Sequence, residues 1–390
     1  TPEPYNFTSS PRTTDTNNTA KELFHISIPF PTPYQASRAA GTRYEAEAVI
    51  FKVQTDEGIV GLGEADPLNP FTEETPATVM VVTRDHIAPQ LIGRNPTHIA
   101  AIESNLDVMV HGNLLARGAV NMALFDIAGK ANDVAAHMLL GGLNQSNLQL
   151  LSPIGSGTPE EDAASIQQQI EDGYQTVMIK MGALPIVNEI QRMIAAQEKF
   201  AGQIKIIVDA NQGWTVAETL EFLDGIGRNR PDLLEQPINR HDLSGLKRIH
   251  RRAACLLSAD EGVASTQEAT ALIRAQAVDA FSIKVSKNGG LSNARKIAAT
   301  ADAFGLKILM NSMLEFGITQ AASLQLGCVL PNLLDMGHAY MSVLRMSDDI
   351  TDFNQNISHA TVTVPTSAGL GVRVNEAKLK KYTKDYLKID

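Results

Sequence analysis

Cysteine is nearly absent: Cys255 and Cys328 are the only two in 390 residues. Two thiols so far apart cannot build a disulfide framework or a zinc knuckle. Both sit in apolar or helical surroundings, so free thiols in a reducing, cytoplasmic compartment are expected. Long apolar runs are missing too. A bilayer-spanning helix needs about 20 consecutive apolar residues, and no stretch approaches that length, which excludes a membrane span. There is no basic cluster, and Lys and Arg number 33 against 43 acids for a formal net charge of −10. That balance excludes nucleic acid as a partner. The opening TPEPYNFTSSPRTTDTNNTAKE carries no apolar signal-peptide core, so residues 1–22 are expected to form a disordered tail.

What is present is an apolar share of 44% over a length that calls for two domains, or one large α/β barrel with an appendage. LFHISIPF and AEAVIFKVQT alternate as strands do, and GIVGLGEADP supplies a third after the turn Asp56-Glu57-Gly58. The period then becomes helical in ETPATVMVVTRDHIAPQLI, THIAAIESNLDVMV and ARGAVNMALFDIAGKAND. Strands followed by helices make residues 23–145 a separate α+β domain. From residue 146 to 370 the rhythm is strand, helix, strand, helix. Its eight short runs are LQLLSPIG, YQTVMIKMG, IKIIVDANQ, DLLEQP, CLLSADEG, AFSIKVSK, LKILMNSM and NLLDMG. Short apolar runs joined by crossovers are what a parallel barrel requires.

Lys180, Asp209, Glu235, Asp260 and Lys284 stand at or near the carboxyl ends of runs two to six. Their separations of 29, 26, 25 and 24 residues are each one strand-helix unit, so they occupy equivalent places on consecutive staves. That end of such a barrel is where reactive groups sit. Carboxylates crowded there repel one another, at roughly 4 kcal/mol per pair for a spacing of about 4 Å and an effective dielectric near 20. A divalent cation removes the conflict, and all-oxygen ligation suits Mg²⁺ better than zinc. Runs two and six are four apart in a ring of eight, which puts Lys180 and Lys284 on opposite sides of the mouth. Lys284 acting as a base near neutral pH needs its pKa lowered from about 10.4 to about 7.5, roughly 4 kcal/mol, which burial and a nearby cation favour.

These motifs, IKMG, VDANQGW, LLEQP, SADEG and IKVSKNGGL, with GEADP, LFDIAGKA and LLGG in and after the first domain, resemble those of the enolase superfamily, in its muconate-lactonizing subgroup. The resemblance covers nearly the whole chain. It implies an α/β fold, a modified TIM barrel (β/α)7β with an N-terminal α+β capping domain completed by the C-terminal segment 371–390. It also implies one Mg²⁺, with Mn²⁺ as a substitute, on Asp209, Glu235 and Asp260, and abstraction of a proton alpha to the carboxylate of a small-molecule substrate by a lysine base. The cap loops that choose the substrate would be PTPYQASRAAG, with Tyr34 and Arg38, and ADPLNPFTEET, with Asn69 and Phe71. Asn211, Glu261 and Glu315 are candidates for the surrounding shell or for substrate contact, and a symmetric homo-oligomer is expected.

The subgroup has Lys-x-Lys on the second strand, and Met178 takes the first lysine's place here. This departure shifts weight from the cycloisomerases toward branches resembling proline-betaine epimerases and cis-3-hydroxyproline dehydratases. Two opposed lysines favour a racemase or epimerase of an amino-acid derivative, because inversion needs a proton donor on each face. The alternatives are a β-eliminating dehydratase, a muconate-type cycloisomerase, and a non-catalytic barrel that binds ligand. His338, just past run eight, is expected to be a satisfied histidine rather than a base.

Overall fold

The computed structural model describes residues 17–35 and 42–389. In the cap, β1 (Asn18–Gln35), β2 (Thr42–Thr55) and β3 (Val60–Ala65) form an antiparallel meander. The last strand of the chain, β14 (Thr383–Ile389), adds to its open edge, giving the order β14-β1-β2-β3. The strand β1 starts inside the stretch that composition assigns to a tail. Lys21 and Glu22 pair with Val53 and Lys52 on one side and with Ile389 and Lys388 on the other. Backbone pairing on both edges outweighs their polar side chains, and the remainder of the expected tail, residues 1–16, lies outside the described residues.

Strand alternation lets β2 serve two cores at once. Ala46, Ala48 and Ile50 join the cluster that runs into the barrel, while Val49 and Phe51 face the cap helices. Those helices are α1 (Pro76–Val82), α2 (Ile99–Met109) and α3 (Leu114–Ala131). Because α3 lies between the cap sheet and the barrel, it is buried nearly all round. Its Leu115 and Ala119 sit in the cap core and its Met122 and Phe125 in the barrel core. The approach of β3 to α3 demands glycine: a Cβ on Gly63 would lie 1.9 Å from the Ala119 carbonyl oxygen.

A short helix α4 (Ala136–Leu139) and strand β4 (Asn147–Gln149) lead into the barrel. Its units are β5 (Ser152–Ile154), α5 (Pro159–Glu171), β6 (Thr176–Lys180), α6 (Ile186–Phe200), β7 (Lys205–Asp209), α7 (Val216–Gly225), β8 (Leu233–Glu235), α8 (Leu243–His250), β9 (Leu256–Ala259), α9 (Thr266–Ala275), β10 (Ala280–Ile283), α10 (Leu291–Ala303), β11 (Lys307–Met310) and α11 (Gly317–Gly327). The parallel sheet runs β11-β10-β9-β8-β7-β6-β5. Helices α5, α7 and α9 begin at capping boxes written in the sequence, Thr158 with Glu161, Thr215 with Glu218 and Ser265 with Glu268.

The eighth run is not a continuous strand. It closes the ring by single bridges, Ile308 to Leu333 and Leu150 to His338, with Leu334 N–H on the Ile308 carbonyl at 2.9 Å and Leu151 N–H on the His338 carbonyl at 3.0 Å. Thereafter β12 (Ile357–Ser358) pairs with β13 (Thr361–Thr363), which pairs back onto β4, and α12 (Glu376–Tyr382) returns the chain to the cap. Among the described residues no helix is long and apolar enough to cross a membrane, and both cysteines are free.

Candidate active site

The barrel sets the five ladder residues by register. Lys180 is the Cα partner of Asp209, and Asp209 of Glu235, so three neighbouring strand ends present these side chains at one level. Asp260 follows the last residue of β9, and Lys284 follows the last of β10. Lys180 and Lys284 line one cleft at this end of the barrel, together with Leu68, Phe71, Met178 and Arg345.

The three acids are buried beneath the cleft rather than in its wall, and they are already engaged. Lys180 Nζ donates to Asp209 Oδ2 and lies 3.4 Å from Asn211 Oδ1. Lys284 Nζ donates to Asp260 Oδ2 at 2.5 Å, and Lys287 Nζ reaches Asp260 Oδ1 at 3.0 Å. Glu235 is held by an amide and a hydroxyl. Asn311 Nδ2 donates to its two oxygens at 3.0 and 3.1 Å, and Ser282 Oγ donates to Oε1. Burial, with Asp209 and Asp260 adding repulsion, holds the Glu235 carboxyl well above the usual carboxylate range. Asp260 goes the other way: burial pushes it up, and Lys284 and Lys287 together pull it below its ordinary value.

Lys284 is pulled both ways. Burial pulls its ammonium down, but Asp260, Glu261 and Glu235 outweigh that and leave it above the usual lysine range. The physical reason is the number of acids around it, which a strand pattern does not count. Burial also drives Glu261 up to about 7, with Asp260 and Asp209 contributing. Its Oε1 accepts from Asn211 Nδ2 at 3.3 Å, while its buried Oε2 has no hydrogen-bond partner among the described residues.

The cap reaches this cleft through Phe71, whose ring centroid lies 4.3 Å from Lys284 Nζ. Asn69 does not line it: the residue is exposed and its carbonyl is taken by Arg43. Tyr34 pairs with Arg43 near the end of β1, and Arg38 lies outside the described residues. Glu315 is buried beside the cleft rather than in its wall, 3.4 Å from Gln320 Nε2, and burial raises it to about 7. His338 is buried, accepts the Met310 N–H on Nδ1 at 3.1 Å, and is no base for the cleft.

Several participants escape the ladder argument. Asn311 stands one further rung along, at the end of the seventh run, so the same spacing rule finds it once amides are counted with the charged groups. Lys287 shares a motif with Lys284, yet only the fold of its turn brings it back to Asp260. The backbone is left-handed at Asn211, Gln212 and Gln236, with φ of 43°, 64° and 32°. Such conformations are costly away from glycine and cluster at functional sites. The turns are tied together: Gln212 N–H donates to the Gln236 carbonyl at 2.8 Å, and Gln236 Oε1 accepts from the N–H groups of Asp260 and Gly262, both at 3.0 Å.

The donor set fits a hard divalent cation. Asp209, Glu235 and Asp260 are buried oxygen donors on adjacent strand ends, an orphaned Glu261 oxygen lies beside them, and lysine ammonium groups stand in for a cation on two of the three. The three acids are not closed around one point. Among the described residues no three acidic, histidine or cysteine side chains are so arranged.

Comparison with known proteins agrees with this architecture. Residues 161–378 match the enolase C-terminal domain-like family, and residues 21–141 match the mandelate racemase / muconate lactonizing enzyme N-terminal domain. The chain is 30% identical over 366 residues to L-Ala-D/L-Glu epimerase of Bacillus subtilis, covering 92% of this chain and 97% of that one. It is 29% identical over 362 residues to chloromuconate cycloisomerase of Cupriavidus pinatubonensis, covering 92% and 96%. The crystal structure of N-succinyl Arg/Lys racemase from Bacillus cereus superposes with a TM-score of 0.91 at 28% identity, over 96% of this chain and all of that one. With both domains matched and the relatives spanned nearly end to end, the chain belongs to the muconate-lactonizing subgroup of the enolase superfamily and is an enzyme of its isomerase type.

Proposed function

We propose that this enzyme is a Mg²⁺-dependent racemase or epimerase of an amino-acid derivative, removing the proton alpha to a carboxylate and returning one to the opposite face. The observation that carries the reading is that Lys180 and Lys284 line one cleft from staves β6 and β10, each held against a different carboxylate. Inversion requires a base on one face and an acid on the other. A substrate α-carbon between the two amines would lose its proton to one and regain it from the other.

Asp209, Glu235 and Asp260 would hold the Mg²⁺. When bound, the ion would neutralise the substrate carboxylate and the negative charge that grows there as the α-proton leaves. For that to occur the amines must release the acids, which frees Lys180 and Lys284 to face the substrate. The chain itself supplies the dry setting: Phe71 covers Lys284, and Leu68, Met178, Met313 and Met341 wall the cleft with apolar surface. Arg345 lines the same cleft and suits a substrate with a second anionic group, since a guanidinium matches a carboxylate in bidentate fashion.

The test is α-proton exchange in D₂O with Mg²⁺, followed by NMR, on both enantiomers of N-succinyl-arginine and on the dipeptides L-Ala-L-Glu and L-Ala-D-Glu. Exchange from either configuration of one acid, with interconversion of the two, is expected. Failure to exchange any of them would defeat the reading. The relationship to chloromuconate cycloisomerases at a similar identity favours cycloisomerisation as the second reading, and lactone formation from cis,cis-muconate in the same assay would establish it instead.

A further inference from the structure

Arg192, on α6, is buried to 1% and carries four hydrogen bonds away from the cleft. Its Nε and Nη2 donate to the two oxygens of Asp162 on α5, at 2.7 and 3.1 Å. Its Nη1 donates to the carbonyl oxygen of Lys180 at 3.1 Å, and Nη2 also donates to the carbonyl of Gly155, just past β5, at 3.0 Å. The arrangement has a backbone cause. The β5–β6 ladder stops at the pair Ile154 and Ile179, one residue short of Lys180. On its other side Lys180 is still paired with Asp209. Its carbonyl therefore faces a place where the sheet has run out, and a polar backbone group in that setting needs a donor. Arg192 is such a donor at 3.1 Å, and the Ser156 hydroxyl approaches the same oxygen at 3.4 Å.

We propose that Arg192, held by Asp162, is a positioning residue for Lys180: it fixes the peptide plane at the end of β6 and so aims the amine at the substrate. This rests on the two-lysine reading above. A buried Arg–Asp pair is a poor way to gain stability, because stripping water from both charges offsets most of their attraction and apolar replacements often serve as well. What the pair supplies is direction. The guanidinium is a rigid fork, and here its prongs join two strand ends and two helices. A misplacement of about 1 Å at a reacting group costs roughly a hundredfold in rate. Lys284 is anchored independently, through its own N–H on Asn288 Oδ1 at 2.9 Å and Asn288 Nδ2 on the Val263 carbonyl at 2.8 Å. Loosening Arg192 therefore disturbs one face of the substrate and spares the other.

The double variant Arg192→Met/Asp162→Leu removes the fork without leaving a buried charge unpaired. Arg192→Lys, which keeps the charge and loses the fork, replaces it if the double variant does not fold. Both are compared with the wild type in two measurements. The first is α-proton exchange with Mg²⁺ on the N-succinyl-arginine and Ala-Glu stereoisomers, the Lys180 face being the one silenced by Lys180→Met. Exchange from that face is expected to fall at least about tenfold more than exchange from the other. The second needs no substrate: in protein carrying ¹³Cε-lysine, the Lys180 resonance, assigned with Lys180→Arg, is expected to move while that of Lys284 stays. Equal losses on both faces, or an unmoved Lys180 resonance, would reduce Arg192 to a packing residue. If the wild type itself exchanges nothing, the racemase reading falls, and the resonance still decides whether Arg192 positions Lys180.

Discussion

Lys180 and Asp209 are register partners on adjacent strands, and their side chains meet, amine to carboxylate. The same pattern recurs between Lys284 and Asp260. Each proposed base is thus neutralising a proposed metal ligand, so the cation and the amines compete for the same oxygens. Removal of metal with a chelator is expected to abolish α-proton exchange, and Mg²⁺ or Mn²⁺ to restore it. Titration of Mg²⁺ into chelated protein, followed through the ¹³Cε-lysine resonances, is expected to shift Lys180 and Lys284 together. Full activity after exhaustive chelation would contradict the assignment of the three acids.

Replacement of either amine separates the two faces. Lys180→Met and Lys284→Met are each expected to lower exchange by about 10²–10⁴-fold, for opposite configurations of the substrate. The measurement is the ratio of exchange rates for the two enantiomers. If one lysine proves dispensable for both, the reaction is one-sided, and cycloisomerisation or elimination gains support.

Gly63 gives a structural prediction. Its missing Cβ is what lets β3 lie against α3, with the Ala119 carbonyl oxygen only 1.9 Å from where that atom would be. Gly63→Ala is expected to destabilise the chain by about 1–3 kcal/mol through overpacking against backbone. Urea unfolding reads this directly, and an unchanged midpoint would mean that the two elements can separate at no cost.

His338 sets a pH dependence. Burial pushes its imidazole down to about 4 from an ordinary 6.5, and the Met310 N–H on Nδ1 requires that nitrogen unprotonated. Between those values the unfolded chain binds a proton that the folded chain refuses. Stability is therefore full above about pH 6.5 and falls as pH drops toward 4, by about 3 kcal/mol for this group. The drop in urea midpoint from pH 7 to 4.5 is expected to be smaller in His338→Gln than in the wild type. Parallel curves would show that His338 titrates normally.

Much of this was readable along the chain. The capping boxes at Thr158, Thr215 and Ser265 are local, and local chemistry survives folding. The ladder from Lys180 to Lys284 was readable because one strand-helix unit has a nearly constant length. The eighth run was legible as a segment but not as interrupted pairing, since a single bridge leaves no periodic trace. Asn69 and Phe71 sit two residues apart on one cap loop, yet only Phe71 reaches Lys284.

The sequence by itself determined which residues stand at the barrel rim and in what order, because backbone period and strand register follow from apolar patterning and chain length between elements. The tertiary structure alone decided which acid each amine touches, that Lys284 lies among carboxylates that favour its ammonium form, and that Arg192 donates to the peptide of Lys180. Those outcomes depend on groups far apart in the chain meeting in a dry interior. There, distances of a few ångströms fix both charge state and direction, and no local pattern encodes them.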